Sequence, residues 1–383
     1  MLDRDTVEAP RGRRYRVGFV IEQALGHHTH AENLRRTVPE DGEVDAAFGL
    51  VPWGVRGFAR FVPVFRSNWT LRAGLRARRL LRRMHSTAPL DALVIHTQVP
   101  AVLALDWLRR IPTVVSLDAT PIQYDELGAA YGHDAGPAWL ERLKWRLNRA
   151  ALQRARHVVA WSEWARGGVI DGYGIAPARV SVIPPGVPSA TWTRAAPRAQ
   201  GAAPLRVLFV GGDAERKGGL RLVEACRRLR PLVPIELDLV TRTRVDQEPG
   251  VRVHAGVRAN SAQLRELYHQ ADVFCLPTEG DCLPLVLAEA AASGLPSIAT
   301  AVAAIPEIVR HGETGLLVER GDLPGLVDAL KRLALDRELR LSMGARAATL
   351  AAGQHDCAAN ARRLLEVVKR VARPAGEGSV AAG

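Results

Sequence analysis

Short apolar runs rich in β-branched residues alternate with longer stretches of helical period along nearly the whole chain, and this rhythm restricts the fold more than any other feature. Residues 17–21, 92–96, 113–117, 157–161 and 180–183 read as strands. A stretch rich in Pro, Ala and Arg, residues 188–204, then interrupts the pattern, which restarts with 205–210, 235–240, 251–254, 273–276 and 297–300. Strands separated by helices pair in parallel, so the chain predicts two successive doubly wound units. With 383 residues, each unit is long enough to bury its own core. The expected organisation is a first Rossmann-like domain over 1–187, a linker over 188–204 and a second such domain over 205–355. A helix over 356–372 begins at Asp356, stops before Pro374 and leaves 373–383 as a disordered tail. In open α/β folds ligands bind beyond the carboxyl ends of the strands, which makes the cleft between the two units the expected site.

Charge and cysteine content narrow the function. The 52 basic and 40 acidic residues leave a net charge of +12, yet only Lys144, Lys217, Lys331 and Lys369 are lysines. So strong an arginine skew reads as a background bias rather than as a set of phosphate contacts, and no nucleic-acid partner is predicted. Cys226, Cys275, Cys282 and Cys357 show no C-x-x-C pairing and no histidines at zinc-ligand spacing. Neither a disulfide framework nor a bound metal is expected. The apolar run after the charged N-terminus is too short for a signal-peptide core, and no segment approaches the ~20 apolar residues of a membrane span. A cytoplasmic location is the expectation.

Two segments carry chemistry. The first runs from the 205–210 strand through Gly211, Gly212, Asp213, Ala214, Glu215, Arg216, Lys217, Gly218 and Gly219 into a helix. Glycines let the backbone approach an anion, Arg216 and Lys217 supply cations, and a helix start offers free N–H groups. The order matches neither a Walker loop nor a G-x-G-x-x-G dinucleotide turn. A plain turn with charged surface residues would also account for it. The second segment follows the 273–276 strand and places Asp281 before Pro284 and Glu289 after it. Pro284 suits a first helical turn, where the N–H groups of Leu285 and Val286 would face the cleft. Alternatively, Asp281 is a helix cap and Glu289 a core-edge carboxylate.

These segments resemble the retaining glycosyltransferases of family four. The family pattern is an acid, seven residues, Glu, then a small-residue helix ending in Ser/Ala-Gly-x-Pro. Here it reads Asp281, Glu289, Ala290, Ala291, Ala292, Ser293, Gly294, Leu295, Pro296, followed by the similar segment Ile305 to Val318. Val182, Ile183, Pro184, Pro185, Gly186 and Val187 resemble the strand and turn that close the first domain in the family, with Pro185 where Asn is usual. The resemblance implies an α/β fold of GT-B type, two Rossmann-like domains facing a central cleft with the C-terminal helix packed back on the first. It also implies transfer of a sugar from a nucleotide-diphosphate sugar to an unidentified glycan, lipid or small-molecule acceptor, as a metal-independent hexosyltransferase without cofactor. Glu289 would grip the nucleotide ribose and Asp281 the sugar hydroxyls. Gly211, Gly212, Arg216, Lys217 and the N–H groups of Leu285 and Val286 would bind the diphosphate. Two positions depart from the pattern: Gly212 stands where arginine is general, and Asp281 where glutamate is usual.

The first domain is less explicit. Gly26, His27, His28, Thr29 and His30 lie where the family places a loop facing the donor diphosphate, and three histidines so close together also suit a metal. Asp118, after the 113–117 strand, aligns with the segment where the family often has a histidine near the sugar, and equally suits a simple turn. Over 68–85 a helix is expected with Arg72, Arg76, Arg79 and Arg83 along one face, opposite Ala73, Ala77, Leu80, Leu81 and Met84, preceded by Phe58, Ala59, Arg60 and Phe61. Such a surface suits peripheral contact with an anionic membrane or acceptor, or simply a solvated helix. A nucleotide-sugar epimerase and a non-catalytic sugar-nucleotide binding module remain alternatives.

Overall fold

The computed structural model describes residues 14–24, 26–54, 68–131, 136–194, 204–246 and 248–372. The tail 373–383, residues 195–203 of the expected linker, and Phe58, Ala59, Arg60 and Phe61 lie outside the described residues.

Two six-stranded sheets form the framework, with every pairing parallel. The first contains β1 (Tyr15–Gln23), β2 (Val44–Pro52), β3 (Ala92–His96), β4 (Thr113–Leu117), β5 (His157–Ala160) and β6 (Val180–Val182), in the order β2-β1-β3-β4-β5-β6. The second contains β7 (Leu205–Val210), β8 (Ile235–Val240), β9 (Val251–His254), β10 (Val273–Leu276), β11 (Ser297–Thr300) and β12 (Gly315–Val318), in the order β12-β11-β10-β7-β8-β9. Every residue of β3, β4, β5, β10 and β11 is buried, which is why these strands read as continuous apolar runs. The edge strands β2 and β12 were absent from the sequence reading. Asp45, Gly49 and Pro52 interrupt the apolar signal of β2, only three of whose nine residues are buried.

Helices cover both faces of the first sheet. Ala73, Ala77 and Leu81 of the Trp69–Thr87 helix pack on one face with Ala151 and Leu152 of the Ala138–Arg154 helix. On the other face, Ala31 and Leu34 of the His27–Thr37 helix meet Leu364, Leu365, Val367 and Val368 of the Cys357–Ala372 helix. The C-terminal helix therefore returns to the first sheet, and burying each of those four side chains stabilises the docking by about 1.5–3 kcal/mol as an upper value. The two chain passages between the sheets run side by side. Val187 N–H donates to His355 O at 2.8 Å, and Cys357 N–H donates to Val187 O at 3.0 Å.

The basic helix departs from expectation at its N-terminal end. Asn68 caps it by accepting from Leu71 N–H at 2.9 Å, and Ala73, Ala77, Leu81 and Met84 face the core as expected. Arg72, however, is only 4% exposed. Its guanidinium carbon lies 5.5 Å from the Trp69 ring and 6.0 Å from the Trp53 ring. Arg76 donates to the carbonyls of Pro52 and Gly54. The arginine stripe runs under the segment that leaves β2, so only Arg79 and Arg83 of the four are exposed.

Candidate functional site

Beyond β7 the chain passes through Gly211 and Gly212 and turns at Asp213–Gly218 into the Gly219–Leu229 helix. Gly218 has φ +77°, and a Cβ there would sit 1.9 Å from the Pro277 carbonyl oxygen. Only glycine tolerates both the left-handed backbone and that approach. The two sequence segments are thereby pressed together, and Glu279 N–H donates to Arg216 O at 2.9 Å. Lys217 Nζ lies 2.8 Å from Asp281 Oδ2. The Arg216 guanidinium donates to Gly280 O at 2.6 Å and stands 4.7 Å over the Tyr131 ring of the first domain.

The Leu285–Ala292 helix starts directly at the cleft, so the N–H groups of Leu285 and Val286 lack intrahelical acceptors. Pro284 is the capping residue of this helix, with extended ψ of 115°, rather than a member of its first turn. Glu289 follows Leu285 by four residues and Val286 by three, on the same face. It is 3% exposed. The Tyr268 hydroxyl donates to Glu289 Oε2 at 2.9 Å. Burial pushes the Glu289 carboxyl up to about 7, with the Tyr268 hydrogen bond and the Lys217 charge pulling the other way.

Across the cleft, Gly26 precedes the His27–Thr37 helix and Asp118 follows β4. The histidines occupy the first turn of that helix rather than a loop, and His27 and His30 are buried. His27 Nδ1 lies 3.0 Å from Glu22 Oε1, and its Nε2 lies 3.4 Å from Asp118 Oδ2. Burial alone would lower the His27 pKa, but the Asp118 and Glu22 carboxylates outweigh it and hold the imidazole up to about 10. His30 is pushed down to about 3, by burial first and then by the His27 charge. His96 stacks on Trp161 with ring centroids 4.6 Å apart, and His27 meets both rings edge-on. The three side chains form an aromatic packing cluster with one charged member. Among the described residues, no group of three or more His, Cys, Asp or Glu side chains is placed to hold a metal.

These walls enclose a cavity of about 540 Å³ between the two sheets. It brings together all ten residues singled out in the sequence: Gly26, Asp118, Gly211, Gly212, Arg216, Lys217, Asp281, Leu285, Val286 and Glu289. It also exposes residues that sequence reasoning missed. Tyr131 and Arg242 line the cavity, while Glu22 and Tyr268 stand behind it. Glu22 carried a signal, an acid directly after the apolar run 17–21; Arg242, in the run Thr241, Arg242, Thr243, Arg244, carried none.

Two parallel Rossmann-like sheets facing a shared cleft, with the last helix returned to the first, define the GT-B class. The sucrose-phosphate synthase of Thermosynechococcus elongatus superposes with a TM-score of 0.72 at 18% identity, over 94% of this chain and 99% of that one. HepE of Anabaena, in complex with UDP-glucose, gives 0.68 at 16% identity, over 93% and 99%. At such identities these are likenesses of fold. Sequence carries the assignment further: the model described as Glycosyltransferase Family 4 matches residues 22–190, and that described as Glycosyl transferases group 1 matches 204–336. The chain belongs to the family-four glycosyltransferases. A D-inositol 3-phosphate glycosyltransferase of Kineococcus radiotolerans is 34% identical over 256 residues, 57% of this chain and 58% of that protein. The chain matches about half the length, or less, of several other curated relatives. Among the described residues no helix is long and apolar enough to cross a membrane.

Proposed function

We propose that the chain transfers a sugar from a nucleoside-diphosphate sugar, held mainly by the second domain, to an acceptor presented from the first. The observation that carries this reading is the convergence of Lys217, Arg216, Asp281, Glu289 and the free N–H groups of Leu285 and Val286 on one cavity at the strand ends of both sheets. Glu289 would accept from the ribose hydroxyls, and Asp281 from hydroxyls of the transferred sugar. In the reaction the bond from the anomeric carbon to the diphosphate oxygen breaks and a bond to the acceptor oxygen forms. Negative charge grows on the departing diphosphate, where Lys217, Arg216 and the helix N-terminus are pre-positioned to stabilise it. That arrangement supports turnover without a bound cation. Retention of configuration is proposed from family membership. Asp118, facing the cavity from the first domain and held beside the His27 imidazolium, is placed to contact the sugar or the acceptor.

A peripheral membrane contact would have to use a narrower surface than four aligned arginines, since Arg72 and Arg76 are engaged within the protein. The function is tested by incubating the protein with UDP-, ADP- and GDP-sugars and candidate acceptors and following nucleoside diphosphate release and product formation, with and without chelator. Acceptor-dependent release that survives chelation is expected. Release that requires magnesium or manganese would overturn the charge-stabilisation scheme, and interconversion of the sugar nucleotide without any acceptor would identify an epimerase.

A further inference from the structure

Among the described residues, three arginine or lysine side chains line the cavity: Arg216, Lys217 and Arg242. The first two already have partners in the protein. Lys217 is paired with Asp281, and Arg216 is spent on the Gly280 carbonyl and the Tyr131 face. Among the described residues, no carboxylate lies within ion-pair distance of Arg242. His254, which also lines the cavity, is held by Asp238 at 2.8 Å.

The position of Arg242 is set on both sides. Gly211 N–H donates to Val240 O at 2.9 Å, and Arg242 N–H donates to Gly212 O at 3.3 Å. Thr243 Oγ1 accepts from Ala214 N–H at 2.9 Å, and Thr243 N–H donates to Thr241 Oγ1 at 3.1 Å. The loop after β8 is thus fastened to the glycine turn after β7. The guanidinium lies directly against Gly212, where a Cβ would come within 2.9 Å of Nη2 and 3.0 Å of Nε. Because residue 212 has no side chain, the space beside the turn is open to a guanidinium arriving from the neighbouring strand.

We propose that Arg242 is the third phosphate-binding cation of this cleft, supplied from the loop after β8 to the place where the family pattern carries an arginine at position 212. The proposal rests on reading the cavity as a nucleoside-diphosphate site. A diphosphate brings more than one negative charge, and an unpaired, planar guanidinium with paired donors is the group suited to hold its oxygens. The variant Gly212 and the otherwise unexplained Arg242 become two halves of one arrangement.

Calorimetric titration with UDP, ADP and GDP, and with the matching nucleosides, tests it on wild type, Arg242→Ala, Arg242→Gln and Lys217→Ala. Both Arg242 variants should lose about tenfold or more in affinity for the preferred diphosphate, while nucleoside binding stays unchanged. Equal diphosphate affinity in wild type and either Arg242 variant would overturn the proposal, as would an equal loss for the nucleoside, which would mark a distorted pocket. If Lys217→Ala weakens the diphosphate and the Arg242 variants do not, the reading of the cleft stands and this inference alone falls. If wild type binds none of the three diphosphates, both fall.

Discussion

At the scale of single residues, the second-domain wall of the cavity departs from an ordinary protein surface at Glu289. Its carboxyl is raised from 4.5 to about 7, with burial the largest cause. Between those values the folded state binds more protons than the unfolded one, so stability falls as pH rises through that window and stays lower above it. A shift of that size corresponds to about 3 kcal/mol at most. Glu289→Gln keeps a partner for the Tyr268 hydroxyl and removes the buried charge. At pH 8 the variant should melt several degrees higher than wild type while binding nucleoside diphosphate about tenfold more weakly, because an amide cannot act as a pure acceptor toward two hydroxyls. Thermal melts paired with calorimetry check both halves, and a variant that is less stable at pH 8 would contradict the account of this carboxylate. The sequence made Glu289 visible through its spacing from Asp281. Its partner Tyr268, from another helix, was not visible because no local pattern connects the two.

Among the elements, ten strands were legible as short apolar runs; β3, β4, β5, β10 and β11, buried along their whole length, leave a signature that does not depend on neighbours, and even the exposed edge strand β9 keeps its valines at alternate positions. The edge strand β2 left none, since only three of its nine residues are buried and it carries Asp45, Gly49 and Pro52. The Trp69–Thr87 helix shows a different limit. Its arginine stripe follows from helical spacing, but which arginines reach solvent depends on where Trp53 lies, and Trp53 comes from beyond the end of β2. Arg72→Gln should therefore act on stability, costing about 1–3 kcal/mol through lost cation–aromatic packing and an imperfectly satisfied buried amide. Arg79→Gln and Arg83→Gln, at exposed positions, should stay within about 0.5 kcal/mol of wild type. Urea denaturation distinguishes these outcomes. Equal effects at all three positions would restore the picture of a uniformly solvated basic face.

The whole molecule is held closed by contacts that no reading of either half could anticipate. Glu307 of the second domain accepts from the N–H groups of Glu163 and Trp164, each at 2.8 Å, at the start of the Glu163–Tyr173 helix of the first. Asn260 Nδ2 donates to Glu32 Oε2 and Asn33 Oδ1, both at 3.1 Å, and Arg216 covers Tyr131. The sequence placed Glu307 in a family-like segment, but its partner is a helix N-terminus more than a hundred positions away, defined only once the two sheets face each other. Glu307→Ala leaves two N–H groups uncapped and should shift the molecule toward a more open arrangement by on the order of 1–3 kcal/mol. Small-angle scattering should then show a larger radius of gyration than wild type. An unchanged radius, with unchanged donor KM, would mean that this contact does not govern closure.

The proposed function requires the cavity between the sheets to bind a nucleoside diphosphate through its phosphates. Lys217 tests it most directly, since its ammonium lies at the junction of both sequence segments, 2.8 Å from Asp281. Titration of wild type and Lys217→Ala with UDP, ADP and GDP should show one preferred diphosphate whose affinity drops about tenfold or more in the variant, the loss expected for a charge-assisted contact. Equal affinities in the two proteins would contradict the assignment of this cleft.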